Sequence, residues 1–275
     1  MFFGITAGLF TAFYGFAAWE PSLLQILPSF SLPSPMITQL EQREVVPTKP
    51  QLYEYVEVED GCGPHFQGEC LRVRSGPGES YPVIAGLRTG IVLKVADTVI
   101  GEGRVWYKIL FNEGLRFSER VAGNWYVSAD YVRLFMDEGI LNLSNNENAS
   151  STKRIFIDRS QQMLYAYDGA TLFLEVLIST GLELNPTPRG TFTVYRKTPS
   201  RYMQGPIPDV SDDYFDLPGV PWNLYFTSEG AVIHGAYWHD KFGQPWSHGC
   251  VNLPPEQAQK LYQWADIGTK VLVQD

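Results

Sequence analysis

Positive charge is scarce in this chain. Its 21 lysines and arginines stand against 30 carboxylates in 275 residues, a formal net charge of −9. Affinity for nucleic-acid phosphates comes mainly from Lys and Arg, so this balance excludes a phosphate-tracking surface, and no nucleic acid is expected as a partner. Helix-length periodic stretches are missing from Tyr53 to Phe135, which argues against a helical bundle there. Apolar residues at 44% with abundant Gly, Pro and aromatics exclude a disordered chain and suit a β-rich one. Cysteine is limited to Cys62, Cys70 and Cys250, and histidine to four positions.

Charge is also absent from residues 1–19, MFFGITAGLFTAFYGFAAW, with Glu20 the first charged side chain. That run reads as a signal segment or a short membrane anchor, although no Lys or Arg precedes it. A buried core helix is the competing reading. It is disfavoured by the prolines at 21, 28, 33, 35, 47 and 50, which would isolate such a helix from any core. Residues 1–20 are therefore expected to be a signal or anchor and residues 21–50 a Pro-rich linker, with the rest of the chain extracytoplasmic: in the cell wall, in the periplasm, or membrane-anchored and facing outward. Cys62 and Cys70 frame the short segment CGPHFQGEC. A disulfide between them suits such a compartment, reduced loop residues being the alternative, and Cys250 is left as a free thiol.

From residue 51 to 136 short alternating runs, LRVR, IVLKV and VWYKIL, are separated by turn signals such as SGPGESYP. A small barrel is the natural way to hide the edges of so many short strands. LRVRSGPGESYPVIAGLRTG, VWYKI and NWYVSADYVRLF together resemble a bacterial SH3-type domain, with Phe111 to Asn124 longer than usual. The resemblance implies a cell-wall-binding or spacer module without a catalytic group. Trp106, Tyr107, Trp125 and Tyr126 would line a ligand groove or fill the barrel core. Residues 137–152, with the low-complexity run NLSNNENASST, read as a linker.

Residues 153–275 return to strands: RIFIDRS, QMLYAYDG, LFLEVLIST, GTFTVYRK, NLYFTS, AVIHGAYW and TKVLVQ. RIFID and QMLYAYD read as a hairpin, and the others as hairpins in sequence. One helix is expected between Pro254 and Asp266, with Pro255 in its first turn, Ala258, Leu261, Tyr262 and Ala265 on one stripe, and Gly268 beyond its end. The expected class is mainly β: a small SH3-like barrel followed by a β-sandwich or open barrel with one packed helix.

His234, His239 and His248 all lie within sixteen residues of Cys250, in IHGAYWHDKFGQPWSHGCVNL. A thiol transfers acyl groups only as thiolate and needs a base or cation nearby, which an imidazole supplies. Gly249 lets the backbone bend so that amide N–H groups can meet a developing oxyanion. Two other readings compete. A zinc site would use the same residue types, but His-x4-His followed by His-x-Cys matches no usual ligand spacing. An inert buried cysteine with incidental histidines is how most lone cysteines behave.

Ser247-His248-Gly249-Cys250-Val251-Asn252, with His234 sixteen positions before the cysteine, resembles the signature of the L,D-transpeptidase catalytic domain. STG at 179–181, TPRGTFTV at 187–194 and the PWNLYF strand fall where that family has comparable segments. The resemblance implies Cys250 as nucleophile, His234 as its base, and the Gly235 carbonyl orienting the imidazole. It also implies an oxyanion site shaped by His248 and the amides of Gly249 and Cys250 and a turn held by Ser247 and Asn252. Trp238 matches an aromatic that lines the pocket in some relatives, ordinary loop packing being the alternative, and Trp222 and Tyr225 are further candidates for substrate contact. His239 has no counterpart and reads as a surface residue beside Asp240.

The implied reaction acylates Cys250 with a peptidoglycan stem tetrapeptide, releases D-Ala and passes the acyl group to an amine, cross-linking the wall with neither cofactor nor metal. Water as acceptor would make the protein an L,D-carboxypeptidase. A non-catalytic wall-binding protein would be expected to have lost Cys250 or His234, and a general cysteine peptidase to carry its cysteine on a helix. Implied partners are stem peptides, the cell wall, a carbapenem adduct at Cys250 and, if residues 1–19 anchor the chain, a membrane.

Overall fold

The structure, a computed structural model, describes residues 50–111, 114–121, 123–142, 152–208 and 212–275, all within one compact unit. The signal or anchor, all but the last residue of the Pro-rich linker, and residues 143–151 of the second linker lie outside the described residues. Among those described, no helix is long and apolar enough to cross a membrane.

Seven strands make the first sheet: β1 (Tyr53–Val58), β2 (Leu71–Arg74), β3 (Val83–Leu87), β4 (Val92–Gly101), β5 (Arg104–Ile109), β6 (Tyr126–Ser128) and β7 (Val132–Asp137). They run in the order β3-β2-β6-β5-β4-β1-β7. Long β4 serves both halves, pairing with β1 through Val92–Lys94 and with β5 from Val95 onward, and its register shifts between Val95 and Asp97. A shift of this kind bends a strand and lets one sheet wrap a core. The sheet keeps edges at β3 and β7, so the expected barrel is a curled sheet with one more strand outside β1. Glu102 and Gly103, at φ 52° and 77°, form the β4–β5 turn, the two-residue geometry in which both central residues need positive φ. Trp106, Tyr107 and Trp125 are 2%, 9% and 7% exposed and belong to the core, the second of their two readings.

The remaining strands are β8 (Leu141–Asn142), β9 (Lys153–Asp158), β10 (Met163–Asp168), β11 (Thr171–Leu177), β12 (Gly190–Thr193), β13 (Arg196–Gln204), β14 (Asp216–Tyr225), β15 (Val232–Gly235), β16 (Val251–Leu253) and β17 (Lys270–Gln274). They form two five-stranded sheets, β11-β10-β9-β17-β12 and β16-β15-β14-β13-β8. The short strand β8, inside the stretch read as linker, pairs with β13. Alternation buries Ile155 and Ile157 of β9, Leu164 and Ala166 of β10, and Val271 and Val273 of β17. These meet Leu224, Ile233, Val251 and Leu253 of the other sheet in one apolar cluster. Each fully buried Leu, Ile or Val stabilises by about 1.5–3 kcal/mol. The helix α1 (Pro255–Trp264) closes that cluster with Ala258, Leu261 and Tyr262, on the expected stripe.

In these two sheets four pairings depart from hairpins in sequence: β12 with β17 and β8 with β13 are antiparallel but distant in the chain, and two are parallel. β17 lies parallel to β9, and β15 parallel to β16. A parallel neighbour needs a long crossover, and residues 236–250 and the chain through α1 supply the length.

The two halves share their cores. Val220 and Tyr237 sit in the apolar cluster of the first sheet, and Tyr55 and Val92 in that of the other two. Gln204 exchanges two hydrogen bonds with the Phe117 backbone (2.9 and 3.0 Å), and Ser200 Oγ donates to Val92 O at 2.6 Å.

Candidate active site

The parallel pair β15–β16 organises the site. Its register aligns Ile233 with Val251, His234 with Asn252 and Gly235 with Leu253. Side chains alternate along a strand, so Ile233, Val251 and Leu253 enter the core while His234 and Asn252 face the other way. Cys250, two residues before Asn252, belongs to that same face. On the far side of β15, Tyr225 of β14 pairs with Val232 and joins it.

His234 is fully buried, and its Nδ1 lies 3.1 Å from Gly235 O. A carbonyl only accepts, so Nδ1 carries the proton and Nε2 keeps its lone pair. That Nε2 is buried and has no hydrogen-bond partner. Burial, the largest influence, pushes the imidazole down to about 3, against the opposing pull of the Gly235 carbonyl; Arg201 and His239 add to the depression. His234 is therefore neutral at ordinary pH. The half-buried Cys250 is the one free cysteine. Burial raises its thiol above the usual value, while Arg201 and the Val232 backbone amide act in the opposite direction.

The turn before Cys250 is held by Ser247, 6% exposed, whose Oγ donates to Cys250 O at 2.6 Å and accepts from Gly249 N at 3.2 Å. The Ser247 backbone is tied in turn to Thr180 of the STG segment and to Leu182 just after it. Gly249 stands at φ 112°, where a side chain is strained. Asn252 is clamped by backbone hydrogen bonds in both directions with Ser179. Trp238 is half-buried with its ring centroid 5.7 Å from that of His234. His248 is exposed and pairs with Asp213 at 3.0 Å.

Two residues sit differently from their sequence reading. His239 is not a surface residue. It is 2% exposed, faces the Asn252 side-chain amide at 2.9 Å, and accepts at Nδ1 from Lys241 N. Rings of Trp238 and Phe242 pack against it, and burial depresses it to about 4. The aromatic flanks of WHDKF were the available signal. Trp222 is not brought to the site: 2% exposed at φ 61°, it packs between Phe135 and Tyr262 in the core. The three histidines thus turn to three different partners, and among the described residues no set of His, Cys, Asp or Glu converges as metal ligands.

Sequence reasoning also passed over Arg201, whose charge reaches both Cys250 and His234.

Residues 152–273 match the family model of the L,D-transpeptidase catalytic domain, and residues 71–133 that of the bacterial SH3 domain. The chain carries an L,D-transpeptidase catalytic domain preceded by a bacterial SH3 domain. Among curated proteins it is similar to Probable L,D-transpeptidase 3 of Mycobacterium tuberculosis, 36% identical over 102 residues that cover 35% of this chain and 37% of that protein. Among solved structures, an L,D-transpeptidase of Enterococcus faecium is 27% identical, with 45% of this chain and 50% of that chain covered and a TM-score of 0.41. One from Mycobacterium smegmatis is 21% identical, with 66% and 99% covered and a TM-score of 0.43. Within the L,D-transpeptidase domain, β15, β16 and the turn between Ser247 and Cys250 carry the groups described above.

Proposed function

We propose that the protein is a peptidoglycan L,D-transpeptidase that works through a thioester on Cys250. The donor is a stem tetrapeptide. Cys250 attacks the carbonyl joining the third residue to D-Ala, D-Ala leaves with the proton that His234 took from the thiol, and a neighbouring amine then accepts the acyl group. The amide's energy is held in the thioester, so no further energy source is required.

One observation carries this reading: a buried imidazole whose Nδ1 is fixed on Gly235 O and whose Nε2 has no partner, on the same sheet face as the free cysteine. A buried unpaired acceptor costs about 1–3 kcal/mol, and such a cost is retained where the atom has work to do. A neutral base beside a raised thiol suits proton transfer within the pair at the moment of attack, rather than a standing ion pair. Gly249 N–H is already engaged by Ser247, which leaves the Cys250 amide as the candidate donor for the oxyanion. Trp238, its ring tilted against that of His234, and Tyr225 are the candidates for the pocket wall.

The first domain is read as a wall-directed module, and the whole as acting outside the cytoplasm. The Cys62–Cys70 disulfide, which ties down the loop carrying His65 and Phe66, supports an oxidising compartment. The test is incubation of the full chain with disaccharide-tetrapeptide and separation of the products. D-Ala release with a cross-linked dimer is the expected result. D-Ala release with tripeptide alone assigns water as acceptor, and intact substrate defeats the proposal.

A further inference from the structure

Arginines in this acidic chain usually find carboxylates or carbonyls: Arg133 pairs with Glu57 and Glu59, Arg104 with Glu79, and Arg159 with Asp275. Arg201 does not. It lies on β13 opposite Val220, at the register shift that precedes Met203. Its side chain is half-buried, its Nη1 is completely buried with no hydrogen-bond partner, and no carboxylate pairs with it among the described residues. The guanidinium carbon is 5.5 Å from the ring centroid of Tyr225, the residue that β15 pairs with Val232. Arg196 flanks the same ring at 4.8 Å, also with a buried, unpartnered Nε. The ring wall of the site is thus bracketed by two cations, and among the described residues no anion answers Arg201. Its position is also felt by both reacting groups, since its charge favours the Cys250 thiolate and disfavours a protonated His234.

A half-buried guanidinium with one nitrogen buried and unpartnered is costly to leave without an anion, and a bidentate carboxylate is the ligand its planar fork fits best. We propose that Arg201 is the anion-recognition residue of the donor site, receiving the terminal carboxylate of the stem peptide's D-Ala. This rests on the transpeptidase reading for the identity of the peptide. The terminal carboxylate is chosen because Arg201 acts on both Cys250 and His234, so its anion belongs close to the scissile carbonyl. The carboxylate of the leaving D-Ala is separated from that carbonyl only by the amide nitrogen and one carbon. Once D-Ala departs, the anion departs with it and Arg201 is again unpaired, so a tripeptide product is held less well than the tetrapeptide donor.

Binding tests this apart from turnover. The full chain with Cys250→Ala is titrated calorimetrically with the stem tetrapeptide, with its C-terminal amide, and with a tetrapeptide amidated only on the side-chain carboxylate of the third residue. The expected result is that the free acid binds about ten-fold or more tightly than the C-terminal amide, the scale of one lost charge-assisted hydrogen bond. Side-chain amidation leaves the affinity unchanged. Adding Arg201→Gln removes the preference without weakening the C-terminal amide, and Arg201→Lys, which keeps the charge, restores part of it. Equal binding of acid and C-terminal amide overturns the proposal. So does no binding of either, a loss on side-chain amidation, or an Arg201→Gln effect that is the same for both ligands. Carboxylate-dependent binding without D-Ala release by the unmodified chain defeats the reaction assigned above and leaves this recognition role standing.

Discussion

The two five-stranded sheets face each other across one core and treat polar atoms in opposite ways. In β11-β10-β9-β17-β12 the alternation is regular, and apolar side chains point inward from β9, β10 and β17. In β16-β15-β14-β13-β8 the buried residues include Lys197, Thr198, Ser200, Asn223, His234 and Asn252. Of the seven described residues with a buried side-chain nitrogen or oxygen that lacks a partner, six belong to this second sheet: Arg196, Arg201, Trp222, Asn223, His234 and Asn252. The seventh, Arg88, lies in the SH3 half, and the sheet β11-β10-β9-β17-β12 contributes none. One sheet supplies stability and the other spends part of it, as expected where function overrides local consistency.

The strongest way to break this contrast is Cys250→Ala. It should abolish D-Ala release and leave an unshifted intact mass after exposure to a carbapenem, with the melting temperature little changed; an adduct on this variant would relocate the nucleophile. Next comes His234→Leu, which removes the base together with its unpartnered nitrogen. D-Ala release should fall by about 10²-fold or more while urea unfolding shows stability kept or raised. Ile157→Ala in the opposite sheet should do the reverse, costing about 2–5 kcal/mol in urea unfolding with turnover per folded molecule intact. The smallest effect is expected at Arg104→Gln, whose ion-pair partners Glu79 and Asp130 are exposed, at about 0–1 kcal/mol.

Acid sharpens the same comparison. His234 and His239 are depressed to about 3 and about 4, below the value near 6.5 that an unfolded chain gives them. Above 6.5 neither state is protonated and their full stability is present; as pH falls below it the unfolded chain takes up protons that the folded site refuses. Thermal melts from pH 7 down to pH 4 should therefore show falling stability, and His239→Gln should reduce the slope. Turnover over the same range should lack a histidine limb near 6.5 and stay level, because the imidazole and the thiol are both neutral throughout it.

What could be read from the sequence follows the same division. The strands RIFID and QMLYAYD, the helix with Ala258, Leu261 and Tyr262 on one stripe, and the core tryptophans of the first domain obey simple periods, and the structure has them as read. Cys250, His234, Ser247 and Asn252 were legible because they are close in sequence and chemically unusual together. β13 and β14 were only partly legible. Pro199, Pro218 and Pro221 argue against central strands, yet Ser200 and Pro221 pair in the middle of this sheet. Arg201 was hidden for the same reason: it approaches the cysteine through sheet pairing, forty-nine residues away in sequence. The burial of His239 depends on Asn252 and a ring of aromatics from its own loop, which no period announces.

Tyr237 lies three residues after His234 and sits in the apolar cluster of the SH3 half, 3% exposed, with its hydroxyl on Pro218 O at 2.7 Å. Cleaving the chain between the domains would therefore strip the cover from the segment that carries His234, and would lay Val220 and Tyr237 open to water as a sticky seam. The SH3 half is therefore not an interchangeable accessory of the other half. Melting should register as a single cooperative event, the two halves sharing one seam.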